Sequence, residues 1–198
     1  MGYINYKTLR KVVDKFGIKV RRTTLLDQVP TVTPSDWLLQ TIAMANQIPL
    51  SNEKVKSERI ISPVLSEVHQ LHKDRLTLFS GEELNVSPQD DLNGACDFFF
   101  SGVPDAYLLE APIVSLTEAK DEDLEYGIAQ CTAQMIGAQL FNEAAGQPTT
   151  VLWGCSTTAV EWKFLKMVEK TLYVDEASYS ILKLEQLLGA FHRMLEQV

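Results

Sequence analysis

The 198-residue sequence has no apolar run approaching the roughly 18 residues that a membrane span requires. It has no Cys-x-x-Cys pair. Cys96, Cys131 and Cys155 stand far apart, which excludes zinc ribbons and thioredoxin-type chemistry and fits reduced, buried thiols in a cytoplasm. No Walker loop, dinucleotide glycine motif or Gly-x-Ser-x-Gly elbow occurs, so P-loop, Rossmann and serine-hydrolase chemistries have no anchor. Repeats and low-complexity segments are absent. The opening Met1-Gly2-Tyr3-Ile4-Asn5-Tyr6-Lys7 lacks the apolar stretch of a secretory signal, and Tyr6 stands where myristoylation needs Ser or Thr. Cations are scarce: 18 Lys and Arg face 26 Asp and Glu, a net charge of −8. That balance counts against a nucleic-acid binder, whose affinity comes largely from phosphate contacts. The exception is a local basic stretch, Lys7, Arg10, Lys11, Lys15, Lys19, Arg21 and Arg22.

Apolar residues make up 45% of the chain, enough for a sizeable core. Residues 1–50 read as an N-terminal helical extension packed on a core domain of 51–198. A basic helix is expected over 5–16, ending at Gly17, with 18–20 extended. Thr33 as N-cap and Pro34 at the first helical position open a second helix to about Asn46. A third runs from Ser51 to His72, on the stripe Ile60, Ile61, Val64, Leu65, Val68 and Leu71, with Pro63 expected to kink or divide it. Alternation at Leu76 and Leu78, a turn at Gly81-Glu82 and the return Leu84-Asn85-Val86 predict a hairpin. Strands follow at 95–101 and 112–119, with a loop at 103–107 between them. Then come a long helix over 122–145, a strand at 149–154, and a second hairpin over 159–166 and 170–174. A last helix runs from Ser178 or Tyr179 to Glu196. The order predicts an α/β sandwich: a central mixed sheet flanked by helices.

The chemistry concentrates between residues 94 and 120. Asp97 precedes the apolar run Phe98-Phe99-Phe100, and Glu118-Ala119-Lys120 ends the next strand. Side chains two apart on a strand share a face, so Glu118 and Lys120 point together while Ala119 turns away. Pairing of the two strands brings Asp97 alongside Glu118. Two carboxylates and the Ala119 carbonyl suit the all-oxygen octahedron of Mg²⁺ (or Mn²⁺), with Lys120 beside it to steady a water or a developing charge. Glu-x-Lys alone is common. After an apolar strand, before a helix and with Gly94-x-x-Asp97 preceding it, it is a much stronger signal.

Gly94-x-x-Asp97, Glu118-x-Lys120 and a following helix bearing Gln130 resemble the PD-(D/E)XK nuclease superfamily. Ser57-Glu58-Arg59-Ile60-Ile61-Ser62-Pro63-Val64-Leu65 is similar to the opening of the nuclease domain of type I restriction enzymes. The resemblance spans about residues 51–155, and in overall length the chain looks like small stand-alone bacterial members. It implies a restriction-endonuclease-like three-layer sandwich, Asp97 and Glu118 as metal ligands, Lys120 as the catalytic lysine and Gln130 as the glutamine of the next helix. Many members carry an aromatic residue four positions later, where this chain has Gln134. Pro104-Asp105 supplies the literal dipeptide but lies in a loop, so Asp97 is the better candidate. Of the helical acids, Glu58 and Glu67 fall on opposite flanks of the apolar stripe, and only one is expected at the site. The restriction-enzyme opening favours Glu58, whereas Glu67-x-His69 is similar to another branch of the superfamily.

The expected function is Mg²⁺-dependent hydrolysis of phosphodiesters in DNA. Its rivals are a catalytically silent module on the same fold and a metal-dependent hydrolase of small phosphates. A homodimer through the second hairpin is compatible with double-strand cutting. His69, His72 and His192 lack zinc spacing with any cysteine, Trp153 reads as core, and Gln134 and Gln139 read equally well as contacts to phosphate or base edges and as a polar helix face.

Overall fold

Phe98, Phe99 and Phe100 are all buried, and so is every residue of the strand beside them. Strands apolar on both faces must be covered on both faces. The computed structural model, which describes residues 2–198, satisfies this with helices on either side of one mixed, eight-stranded sheet.

In chain order the elements are α1 (Leu9–Phe16), β1 (Lys19–Thr23), α2 (Asp36–Ala45), α3 (Glu53–Lys56), α4 (Ser62–His72), β2 (Thr77–Ser80), β3 (Phe98–Ser101) and β4 (Ile113–Ala119). There follow α5 (Leu124–Ala144), β5 (Val151–Thr157), β6 (Glu161–Val168), β7 (Thr171–Asp175), β8 (Tyr179–Ser180) and α6 (Leu184–Leu195). The sheet runs β1-β7-β6-β5-β4-β3-β2, with β8 on β6. β1 is parallel to β7 and β4 to β5; the other pairs are antiparallel. One core joins α2, α4 and α6 to Phe98, Phe100, Trp153 and Phe164. The other joins α1 and α5 to Phe99, Leu116, Leu152 and Leu165. Successive strand residues thus feed opposite layers. Among the described residues no helix is long and apolar enough to cross a membrane.

Several elements depart from the sequence reading. Residues 1–50 are not a purely helical extension: β1 is an edge strand of the sheet, and Tyr3, Tyr6 and Val12 are core. α1 does end at Gly17, in the left-handed region at φ 65°. α2 starts two residues later than expected, because Ser35 caps it, its Oγ accepting from Leu38 N at 3.2 Å. The helix expected over 51–72 is divided, as anticipated, just ahead of Pro63, into α3 and α4. A π-helical turn, Ser57–Ile61, lies between them, where Ser62 N donates five residues back to Ser57 O. Widening the helix before the proline absorbs the mismatch its missing N–H creates. The first predicted hairpin does not form. β2 pairs instead with β3, Thr77 opposite Ser101, because β3 is the more apolar partner. Residues 83–87 make only isolated bridges, to Ala95 and Leu92. A loop is tied to the first residue of β2: Thr77 Oγ1 donates to Val103 O at 2.7 Å and accepts from Ala106 N at 3.0 Å. The second hairpin is internal, since β6 is flanked by β5, β7 and β8, and Trp162, Phe164 and Leu165 are fully buried. It therefore offers no exposed alternation to a second copy. The last helix begins at Leu184, after β8 and a short 3-10 turn take up residues 179–183.

Candidate metal centre

β4 delivers Glu118 and Lys120 to one face, as alternation requires. Glu118 Oε1 lies 2.6 Å from Lys120 Nζ. β3 begins one residue after Asp97, and Asp97 Oδ2 accepts from Ala119 N at 2.8 Å. The antiparallel pairing, Phe98 opposite Thr117, carries Asp97 to the end of β4. Asp97, Glu118, the Ala119 carbonyl and Lys120 are thus gathered at one strand end. They adjoin a cleft of about 300 Å³ lined by Glu53, Lys54, Ser57, Glu58, Asp97 and Ala119. A larger groove of about 660 Å³, between the end of α1 and the outer half of α5, contains none of the expected site residues.

The helical acids separate. Glu58 lines the cleft, with Lys54 Nζ 3.9 Å from its Oε1. Glu67 does not: its oxygens accept from Ser35 N and Ser35 Oγ, each at 2.7 Å, which makes it a fastener for the start of α2. Glu67, the alternative helical acid and candidate metal ligand, is thus not at the site: both its oxygens serve α2. Gln130 is buried on α5, and its Oε1 has no partner. The glutamine that reaches the acids is Gln134, one turn on, whose Nε2 donates to Glu118 Oε2 at 2.6 Å. Sequence reasoning missed both Gln134 and Glu53. Glu53 Oε2 lies 3.7 Å from Lys120 Nζ. The available signal was Asn52, which caps α3 through Val55 N and so fixes Glu53 as its first residue, one turn before Ser57.

Electrostatics follow from enclosure. Burial, then the Asp97 charge, pushes the Glu118 carboxyl up to about 8, against the pull of Lys120 and Gln134. Burial also raises Asp97, while the Ala119 N–H and Lys120 oppose it and Glu53 adds to it. For Lys120, burial works downward, but Glu118, Glu53 and Asp97 outweigh it and leave the ammonium above its ordinary value. Three carboxyl groups thus surround one ammonium, with Glu118 and Asp97 enclosed and Glu53 half exposed.

Among the described residues no group of three or more His, Cys, Asp or Glu side chains is arranged to hold a metal ion. The candidate donor set is different: two carboxylates and a main-chain carbonyl. Glu118 Oε1 and Ala119 O already converge on a single cation, Lys120 Nζ, at 2.6 and 2.8 Å. Hard oxygen donors of this kind fit Mg²⁺ or Mn²⁺ and do not fit a thiolate-seeking metal. The cysteines stay out of it: all three are buried with thiols pushed up by desolvation. His72 and His192 meet elsewhere, at the contact of α4 with α6, with His192 Nδ1 3.2 Å from His72 Nε2. Comparison with protein-family models and with curated proteins yields no match.

Proposed function

We propose that this protein is a Mg²⁺-dependent phosphodiester hydrolase of the PD-(D/E)XK type, with a restriction-endonuclease-like core, acting on DNA. The observation that carries the reading is the meeting of Asp97, Glu118, the Ala119 carbonyl and Lys120 at the end of β4, beside a cleft that Glu58 lines. The motif resemblance and the mixed sheet with helices on both faces support it.

Asp97, Glu118 and the Ala119 carbonyl hold the ion in this reading. A bound Mg²⁺ supplies an oriented water of lowered pKa and charge neutralisation at the phosphate. Lys120 orients that water or offsets the charge that grows on phosphate oxygens. Gln134 steadies Glu118. Glu58 supports hydration at the cleft wall. The parallel strands β4, β5, β7 and β1 all end on the same side of the sheet. Arg21 and Arg22 on β1 are exposed, four strand spacings from β4, about 19 Å, and in register with Ser115 and Leu116. As strand neighbours they lie on opposite faces, so one of the two meets DNA backbone in this reading.

The test is cleavage of plasmid and linear DNA by purified protein over a Mg²⁺ and Mn²⁺ titration. Wild type is expected to cut. Asp97→Ala and Lys120→Ala are expected to lose about 10²–10³-fold or more while remaining folded by circular dichroism. A second reading, hydrolysis of a small phosphate compound, draws on the net charge of −8 and the 300 Å³ cleft. It predicts intact DNA and turnover of a small phosphodiester. Metal-dependent DNA binding without either reaction identifies a silent module.

A further inference from the structure

The oxygens expected to bind a divalent cation already hold one. Lys120 Nζ bonds Glu118 Oε1 at 2.6 Å and Ala119 O at 2.8 Å. A dication drawing on the same two oxygens and an ammonium cannot share them, because like charges a few Å apart in a buried site repel strongly. Lys120 has a flexible four-carbon stem. Two stations lie within its reach. Glu53 Oε2 is 3.7 Å from Nζ, and the Tyr126 ring centroid is 5.3 Å away. Glu53 differs from Glu118 in the respect that matters here: its side chain is 46% exposed, that of Glu118 only 2%. Asn52 caps the helix on which it stands, so its place on the cleft wall is fixed.

We propose that Lys120 is the resident counter-ion of the metal-free site and that Glu53 is a positioning residue which receives the ammonium when a divalent cation takes Glu118 Oε1 and Ala119 O. The inference rests on the metal-dependent reading above. The withdrawn ammonium stays beside the cleft, held by Glu53 and flanked by the face of Tyr126, where a substrate phosphate has to lie. The catalytic lysine is thereby kept close in both states.

Mn²⁺ binding measured by electron paramagnetic resonance, without DNA, tests this together with the amine reactivity of Lys120 read by mass spectrometry. Lys120 is 8% exposed and starts protected. Saturating Mg²⁺ is expected to raise its acylation several-fold. Lys56, bonded to Asp121 at 2.6 Å, is the internal control and should not change. Glu53→Gln should weaken Mn²⁺ binding about tenfold, and Glu53→Asp should recover part of it. In a Lys120→Met background Glu53→Gln should have no further effect, which separates a role through Lys120 from simple charge removal. Asp97→Asn should abolish the signal and so identify the ion. The proposal is overturned by Mn²⁺ binding that leaves Lys120 equally protected, or by a Glu53→Gln effect that persists in Lys120→Met. Absence of Mn²⁺ binding by wild type overturns the metal centre itself, and this exchange with it.

Discussion

Glu118 has both carboxylate oxygens engaged, one by Lys120 and the other by Gln134. Gln134 is fully buried, and its amide donates to Glu118 Oε2. Gln134→Leu should cost about 1–3 kcal/mol in urea unfolding, because a buried acceptor is left bare. Gln130→Leu should cost less, since the Oε1 it removes has no partner to lose. This pair shows what the sequence did and did not make legible. Asp97, Glu118 and Lys120 were readable because strand alternation and an apolar run fix where they point. Which glutamine of α5 reaches them was not readable: 130 and 134 are one turn apart, and the choice depends on how far α5 slides along the sheet. The choice between Glu58 and Glu67 was equally tertiary, since it turned on a serine more than thirty residues upstream of Glu67.

At the scale of elements, α6 lies against the chain leading into α2. A Cβ added to Gly189 would meet Pro30 O at 1.7 Å, a main-chain atom with nowhere to go. Gly189→Ala should lower stability by about 3 kcal/mol, seen as a drop in the urea midpoint with the slope unchanged. One turn on, α6 carries a proton-sensitive contact. His72 is held neutral, lowered to about 4 by burial, then by His192 and Arg75, with only Glu196 opposing. The unfolded chain takes up that proton near 6.5, so unfolding is favoured as pH falls from 6.5 toward 4, and stability rises with pH across that window. Urea midpoints across it should therefore fall with acid in wild type, and fall less in His72→Gln. The end of α1 at Gly17 and the extent of α5 were legible from sequence, whereas the start of α1, capped by Thr8 four residues later than expected, was not. The false hairpin at 76–86 was not, because an alternating segment cannot announce that a more apolar strand, β3, will outcompete its neighbour.

At the scale of the molecule, the proposed function requires an acidic chain to meet a polyanion. Of the basic N-terminal residues, Lys15 is already spent on Asp90 at 2.8 Å and Arg10 lies 3.6 Å from Asp14, whereas Arg21 and Arg22 are exposed. Replacing both with Gln should weaken DNA binding and reduce the slope of log affinity against log salt by about 1, since only one of the two faces any one strand of DNA. Cleavage of saturating DNA should change far less, since both stand well away from Lys120. The two outer strands of the sheet have a further consequence. β1 carries Lys19, Arg21 and Arg22 along its margin, and β2 is four residues long. Charge on one rim and shortness on the other make both poor templates for an incoming backbone. Fibril-like stacking is thus disfavoured at these two strands.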